Sequence, residues 1–237
     1  MTFQMKILPM LRYIINIGFI LLCFSSTAQR LGKEKDTATY KDRYGIRVGI
    51  DVVRPVYSFI DENDKGFEIV GDYRLTKRFY LAAELGYRDH TREEDFYDFT
   101  TSGQYIKAGV DYNAYKNWLG MENMIVTGIR YGFSTFNTSL NQYVVNSDPF
   151  LPERTQTDPT DFDGLNASWA ELVLGIKVEV IHNIFLGFSF RGNILLTSNE
   201  PDNFKNLYVP GFERVFVNDF GTSFNYTISY LIPFYRK

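Results

Sequence analysis

From Tyr44 onward, apolar and polar positions alternate. Tyr44, Ile46, Val48, Ile50 and Val52 fall on one side of an extended segment, and Gly45, Arg47, Gly49 and Asp51 on the other. This is the period-two signature of a strand with two unlike faces. The pattern returns in seven further segments. Phe67, Ile69, Tyr73 and Leu75 oppose Glu68, Asp72 and Arg74; Phe79, Leu81, Ala83, Leu85 and Tyr87 oppose Tyr80, Glu84 and Gly86. Ile106, Ala108, Val110 and Tyr112 oppose Lys107, Gly109 and Asp111; Ile125, Ile129, Tyr131 and Phe133 oppose Gly128, Arg130 and Gly132. Leu172, Leu174, Ile176, Val178 and Val180 oppose Glu171, Gly175, Lys177 and Glu179; Leu186, Phe188, Phe190 and Ile194 oppose Gly187, Ser189, Arg191 and Asn193. The last segment sets Phe220, Phe224, Tyr226, Ile228, Tyr230 and Ile232 against Gly221, Ser223, Asn225, Thr227 and Ser229.

The apolar faces of all eight segments lack Asp, Glu, Lys and Arg. The other faces hold cations (Arg47, Arg74, Arg88, Lys107, Arg130, Lys177, Arg191) and as many anions (Asp51, Glu68, Asp72, Glu84, Asp111, Glu171, Glu179). A soluble sandwich would bury the apolar faces and solvate the charges. Three features favour the inverse arrangement. The segments have about the 9–11 residues that a tilted strand needs to cross a bilayer. Tyr44, Phe79, Tyr87, Tyr112, Phe133 and Phe220 sit near segment ends, as rings at a lipid–water boundary do. Glycine recurs on the charged faces, where a narrow interior leaves little room. The pattern therefore predicts an all-β fold, an eight-stranded antiparallel transmembrane β-barrel whose charges form an interior ion network. A barrel of this size is filled by its side chains, so a narrow channel is the weaker reading.

With the N-terminus on the periplasmic side, residues 76–78, 113–123 and 181–183 are short turns, and 54–65, 88–103, 134–168 and 195–218 are longer outer loops. The third loop carries Tyr143, Val144, Val145, Phe150, Leu151 and Phe162 between Asp and Pro, which suits a partner-binding loop. The fourth, with Leu207-Tyr208-Val209-Pro210-Gly211-Phe212, has a similar apolar patch, and the patches of both loops suit either a lid over the mouth or a surface for a neighbouring outer-membrane component. His90, placed in the second loop among Asp89, Thr91, Glu93, Glu94 and Asp95, is raw material for acyl transfer or hydrolysis at a lipid surface. No nucleophile motif accompanies it, and His182 reads as turn chemistry. Residues 158–164 and 61–66 look like fragments of calcium loops but lack the spacing of the full pattern.

Ahead of the strands, Lys6 and Arg12 flank an apolar run at 13–24 that ends in Ser25-Ser26-Thr27-Ala28. This is the layout of a cleaved secretory signal peptide covering 1–28, followed by a flexible lead at 29–43 and a barrel domain at 44–237. Cys23 lies inside the leader between Leu22 and Phe24, so neither lipidation nor a mature thiol is expected. The net charge is -3; without a basic surplus, nucleic acid is not a partner. Aromatics at 17% and charge at 22% exclude a disordered chain.

The stretches DYRLTKRFYLAAELGY at 72–87, GIRYGFS at 128–134, LYVPGF at 207–212 and YTISYLIPF at 226–234 resemble a family of small outer-membrane barrel proteins of Bacteroidota, described as a domain of unknown function. The resemblance implies the fold and an outer-membrane location, and it brings no catalytic residue and no cofactor. The expectation is a non-enzymatic structural or accessory component. Its partners are outer-membrane lipid and lipopolysaccharide, and a lipoprotein or larger assembly is compatible with the resemblance. A lipid- or lipopolysaccharide-modifying enzyme using His90 is the alternative.

Overall fold

The computed structural model describes residues 41–61, 63–94, 96–115, 122–145, 154–156, 158–200, 205–216 and 218–236. The signal-peptide reading and the partner-loop positions Phe150 and Leu151 lie outside these residues, as does the side chain of Val145. The elements are β1 (Arg43–Asp51), α1 (Val53–Ile60), β2 (Asp64–Arg74), β3 (Phe79–Glu93), β4 (Tyr97–Asn113), β5 (Met124–Val145) and β6 (Arg154–Gln156). They continue as β7 (Thr160–Ile181), β8 (Ile184–Ser198), β9 (Tyr208–Val209), β10 (Glu213–Arg214) and β11 (Phe220–Arg236).

Eight of these strands pair antiparallel in the order β1, β2, β3, β4, β5, β7, β8, β11, and β11 returns to β1. The sheet closes into a barrel with no free edge among the eight. The closing seam is registered by Ile46 opposite Ile232 and Ile50 opposite Ile228. Pro233 pairs with Gly45 beside a bulge, where its missing N–H breaks no regular ladder.

Polarity is inverted relative to a water-soluble barrel. Leu81, Leu85, Ile106, Ile129, Leu172, Leu174 and Phe224 point outward and are exposed. Glu84, Lys107, Asp111, Arg130, Glu171 and Arg191 point inward and are buried. Tyr44 departs from its expected outward place: it is buried, stacked on Tyr235 at 5.1 Å and capped by the Arg74 guanidinium at 4.9 Å. The bulge between Tyr44 and Gly45 shifts the alternation there. Arg43 likewise belongs to the barrel rather than to a flexible lead, since its guanidinium pairs with Glu179 and Glu122 and donates to Asn183 Oδ1 at 2.7 Å.

The strands outrun their expected length. β5 and β7 each run 22 residues and β4 runs 17, so most of the expected third loop at 134–168 is strand. β3, β4, β5 and β7 thus form a tall wall on one side of the loop end. The first expected loop also contains structure. Asp51 Oδ1 accepts the Val53 N–H at 3.0 Å and starts α1, in which Pro55 sits in the first turn where no backbone donor is needed. Ser58 Oγ accepts the Gly66 N–H at 3.0 Å and ties the helix to β2.

Candidate functional site: the ionic interior and the plugged mouth

The interior charges form connected groups. In the middle of the barrel, Glu84 takes both Nη atoms of Arg191 and lies 3.6 Å from Arg130 Nε and 3.8 Å from Lys107 Nζ. Lys107, fully buried, reaches Glu171 Oε1 at 2.9 Å, and that oxygen also accepts Trp169 Nε1–H at 2.7 Å. Arg130 pairs with Asp111 at 2.7 Å. Nearer the turn end, Arg47 and Lys177 share Asp72 at 2.7 and 2.6 Å, and Arg47 is sandwiched between the Tyr80 and Phe185 rings. Arg74 reaches Asp42 and Glu122 at the turn-end rim. Each buried charge thus faces opposite charge, which offsets its lost hydration. A cavity of about 50 Å³ remains between these groups, lined by Asp72, Glu84, Asp111, Arg130 and Lys177. That is room for a few waters.

Toward the loop end, Asp51 and Glu68 face each other across Asn225, whose Nδ2 donates to both at 2.7 and 2.6 Å. Two carboxylates this close need a cation, and Arg54 of α1 supplies it, at 3.4 Å from Asp51 and 3.7 Å from Glu68. Arg54 also reaches Glu213 at 2.6 Å. Arg54 and Glu213 are the members of this network that strand periodicity could not identify. One follows the last alternating residue of β1, and the other lies in a connection.

Glu213 is carried into the barrel by the fourth loop. Val209 O accepts the Phe212 N–H at 3.1 Å around Pro210-Gly211, and Gly211 has φ +85°. This is the type II turn signature, with proline at the second position and glycine at the third. β9 and β10 flank the turn and the hairpin points inward. Val209 and Phe212 are fully buried with Trp169, Tyr105, Phe136, Leu165 and Ala167. Phe212 meets Trp169 edge-on at 5.9 Å. Gly211 lies so close to the Tyr105 ring that a Cβ there would sit 2.5 Å from its Cγ. Glu213 holds a left-handed φ of 77°, costly for a residue with a Cβ. Its bonds to Arg54 and from Tyr208 Oη at 2.8 Å hold it there. Burial opposes its ionisation, but the Arg54 and Arg88 guanidiniums prevail and hold the carboxyl well below its ordinary range. Burial and the neighbouring Glu213 charge push the Tyr208 phenol up.

Between this hairpin and the wall lies a mouth pocket of about 260 Å³, lined by Asp64, Arg88, His90, Arg92, Tyr97, Phe99, Tyr208, Arg214 and Phe216, among others. His90 is therefore not a loop residue. It lies in β3, paired with Asp64 and Thr101, and stacks on the Tyr208 ring at 4.3 Å. Its Nδ1 lies 3.6 Å from Asp64 Oδ2, beyond hydrogen-bond range. Thr91 lies on the opposite face of β3 and bonds Thr100 at 2.9 Å. Tyr143 and Phe162, expected to meet a partner, pack inward on the cluster of Phe99, Leu140 and Tyr208. The apolar patch at 207–212 is likewise turned into the barrel.

No curated protein matches the sequence. Among solved structures, the chain is similar to Ail, the attachment invasion locus protein of Yersinia pestis, at TM-score 0.39 and 9% identity over 82% of this chain and 99% of that one. The model of the family described as a domain of unknown function (DUF6048) matches residues 10–237, and the chain belongs to that family.

Proposed function

We propose that the protein is an outer-membrane barrel, exported by its N-terminal leader, that serves as a non-enzymatic accessory component working from its loop end. One observation carries the membrane reading: the exposed surface of the barrel is apolar while its interior is ionic, the arrangement that hydrocarbon outside and a closed polar interior demand. The outward run from Phe79 to Tyr87 has the length of one bilayer crossing, with Phe67 and Tyr87 paired as a ring contact at its end. α1 adjoins this level, and its Val56, Phe59 and Ile60 are exposed, Phe59 at 91%. These side chains suit the headgroup boundary.

The accessory reading is favoured over the enzyme by the surroundings of His90. Among the described residues no hydroxyl is hydrogen-bonded to it, and Thr91 faces away. It is favoured over a channel by the paired interior, in which Glu84, Lys107, Asp111, Arg130, Glu171 and Arg191 bridge across the middle of the barrel. The partner contact is then assigned to the sequence between β5 and β6, residues 146–153, rather than to the inward-packed Tyr143 and Phe162. Cell fractionation followed by affinity purification from detergent-solubilised outer membranes tests both parts. The mature chain should begin at Gln29, float with outer membranes and bring down a partner that deletion of 146–153 removes. A mature chain that stays monomeric in buffer without detergent overturns the membrane reading. Partner recovery unchanged by the deletion overturns the loop reading.

A further inference from the structure

The mouth pocket has an unbalanced charge pattern. Both of its carboxylates are already engaged: Asp64 by Arg88 at 2.7 Å, and Glu213 by Arg54 at 2.6 Å and by Tyr208. Two further cations line it. Among the described residues Arg92 pairs with Glu94 alone, at the surface, where such a pair is worth little. Arg214 has no carboxylate partner among the described residues and lies 5.5 Å from the Phe216 ring. His90 Nδ1 is buried without a hydrogen-bond partner. The remaining walls are rings, Tyr208 under His90, Tyr97, Phe99 and Phe216, together with Leu207, Val215 and Thr222. What the pocket lacks is an anion, and what its walls offer is a set of flat apolar faces.

We propose that the mouth pocket binds a phosphate-bearing sugar, its phosphate held by Arg92 and Arg214 with a contact to His90, and its ring laid against Tyr97 and Phe216. Guanidinium groups suit phosphate because their N–H forks match its oxygens. A sugar presents a C–H face to aromatic rings and leaves its hydroxyls to water at the open side. A pocket of about 260 Å³ falls just below the range typical of small-molecule sites, about 300–1,000 Å³. A single sugar phosphate fits that scale better than a longer chain. The same chemistry is offered by a free sugar phosphate and by the phosphorylated head of a glycolipid. The inference goes beyond the accessory role and would survive its loss, because it is measured on the purified barrel.

The test is calorimetric titration of the full-length mature protein. In detergent, the probes are glucose 1-phosphate, glucose and inorganic phosphate. In nanodiscs, binding is compared with and without a phosphorylated glycolipid. Saturable binding of glucose 1-phosphate, weaker binding of phosphate and none of glucose are expected for a soluble source. Binding confined to glycolipid nanodiscs identifies the lipid head as the source and supports the same site. The Arg92→Ala/Arg214→Ala double variant should weaken binding at least roughly tenfold. Both side chains lie at the open mouth, so its far-ultraviolet dichroism should match that of the wild type. Absence of saturable binding to every probe overturns the proposal. So does binding that the double variant leaves unchanged, and so does glucose binding as well as glucose 1-phosphate.

Discussion

Two stretches of the same strands obey opposite rules. From the turn end up to Tyr87 and Phe133, outward positions are Leu81, Ile106, Ile129 and Leu172, and inward ones are Glu84, Lys107, Arg130 and Glu171. Beyond that level the outward positions become Gln104, Thr135, Asn137 and Asn166. The inward ones become Phe99, Phe136, Leu140 and Leu165. The backbone ladder is continuous through the change, with Lys107 opposite Gly132 and Phe99 opposite Leu140 in one register. Only the surroundings differ. On the proposed membrane reading the exterior of the lower stretch meets hydrocarbon, so charge is confined inside and must be paired. In the upper stretch the exterior meets water, so apolar side chains can enter the interior beside polar ones such as Arg88 and Thr138, and the Tyr208–Phe212 hairpin completes their cluster. The lesson is that polarity along a strand reports its solvent more directly than its fold.

The largest way to break the lower stretch is Glu84→Ala. It would leave Arg191, Arg130 and Lys107 without their shared anion. Removing one partner of a buried pair costs about 3–5 kcal/mol. Urea unfolding from lipid vesicles should show that loss; a shift below about 1 kcal/mol would mean that the ionic core is not what closes the barrel. In the upper stretch, Phe212→Ala should cost about 3–5 kcal/mol of hairpin docking. The barrel beneath has its own ladder and should unfold at an unchanged urea midpoint. Proteolysis between residues 199 and 219 reads the undocking. A fall in the global midpoint would show that the two stretches are one cooperative unit.

The exteriors can be compared with the same new residue. Ile129, 67% exposed and midway along the apolar run of β5, should cost about 2–4 kcal/mol on replacement by arginine in a bilayer. Thr135→Arg, on the outward face of β5 above the boundary, should stay within about 0.5 kcal/mol. Equal effects at the two positions would erase the boundary.

The lower stretch was legible in the sequence because alternation there coincides with charge. Ile129 beside Arg130 and Leu172 beside Glu171 declare their faces at once. The upper stretch was not, because Thr135, Phe136, Asn137 and Thr138 alternate between polar and apolar without any charge and read as loop. His90 was misplaced for the opposite reason: Arg88, His90 and Arg92 continue the inward face of β3, but the acids around them imitate a solvated connection. α1 was missed because eight residues containing Pro55 give too little helical periodicity to set against a turn. The inward hairpin did leave a signal, Pro210-Gly211 between Tyr208-Val209 and Glu213-Arg214, which marks a tight turn. Its direction depends on Arg54, Tyr105 and Trp169, three residues distant from it in sequence.

The finest probe of the comparison is Glu213, the carboxylate that fastens the apolar hairpin to the charged groups below it. Its folded pKa is depressed, since Arg54 and Arg88 outweigh the cost of burial. A carboxyl of this kind stabilises docking fully above its unfolded value of about 4.3, and the contribution is lost only as pH falls through the lower folded value. Hairpin docking in the wild type should therefore be unchanged from neutral pH to about pH 5 and should weaken on further acidification. Glu213→Gln removes the charged hydrogen bonds to Arg54, a loss of about 1.5–3 kcal/mol, and abolishes this group's share of the acid response. Emission from Trp169 in a Trp118→Phe background follows Phe212 leaving the indole. The difference between wild type and Glu213→Gln should be constant near neutrality and shrink below about pH 4. A difference that instead grew in acid would mean that Glu213 is held protonated, and that the hairpin is docked by its rings alone.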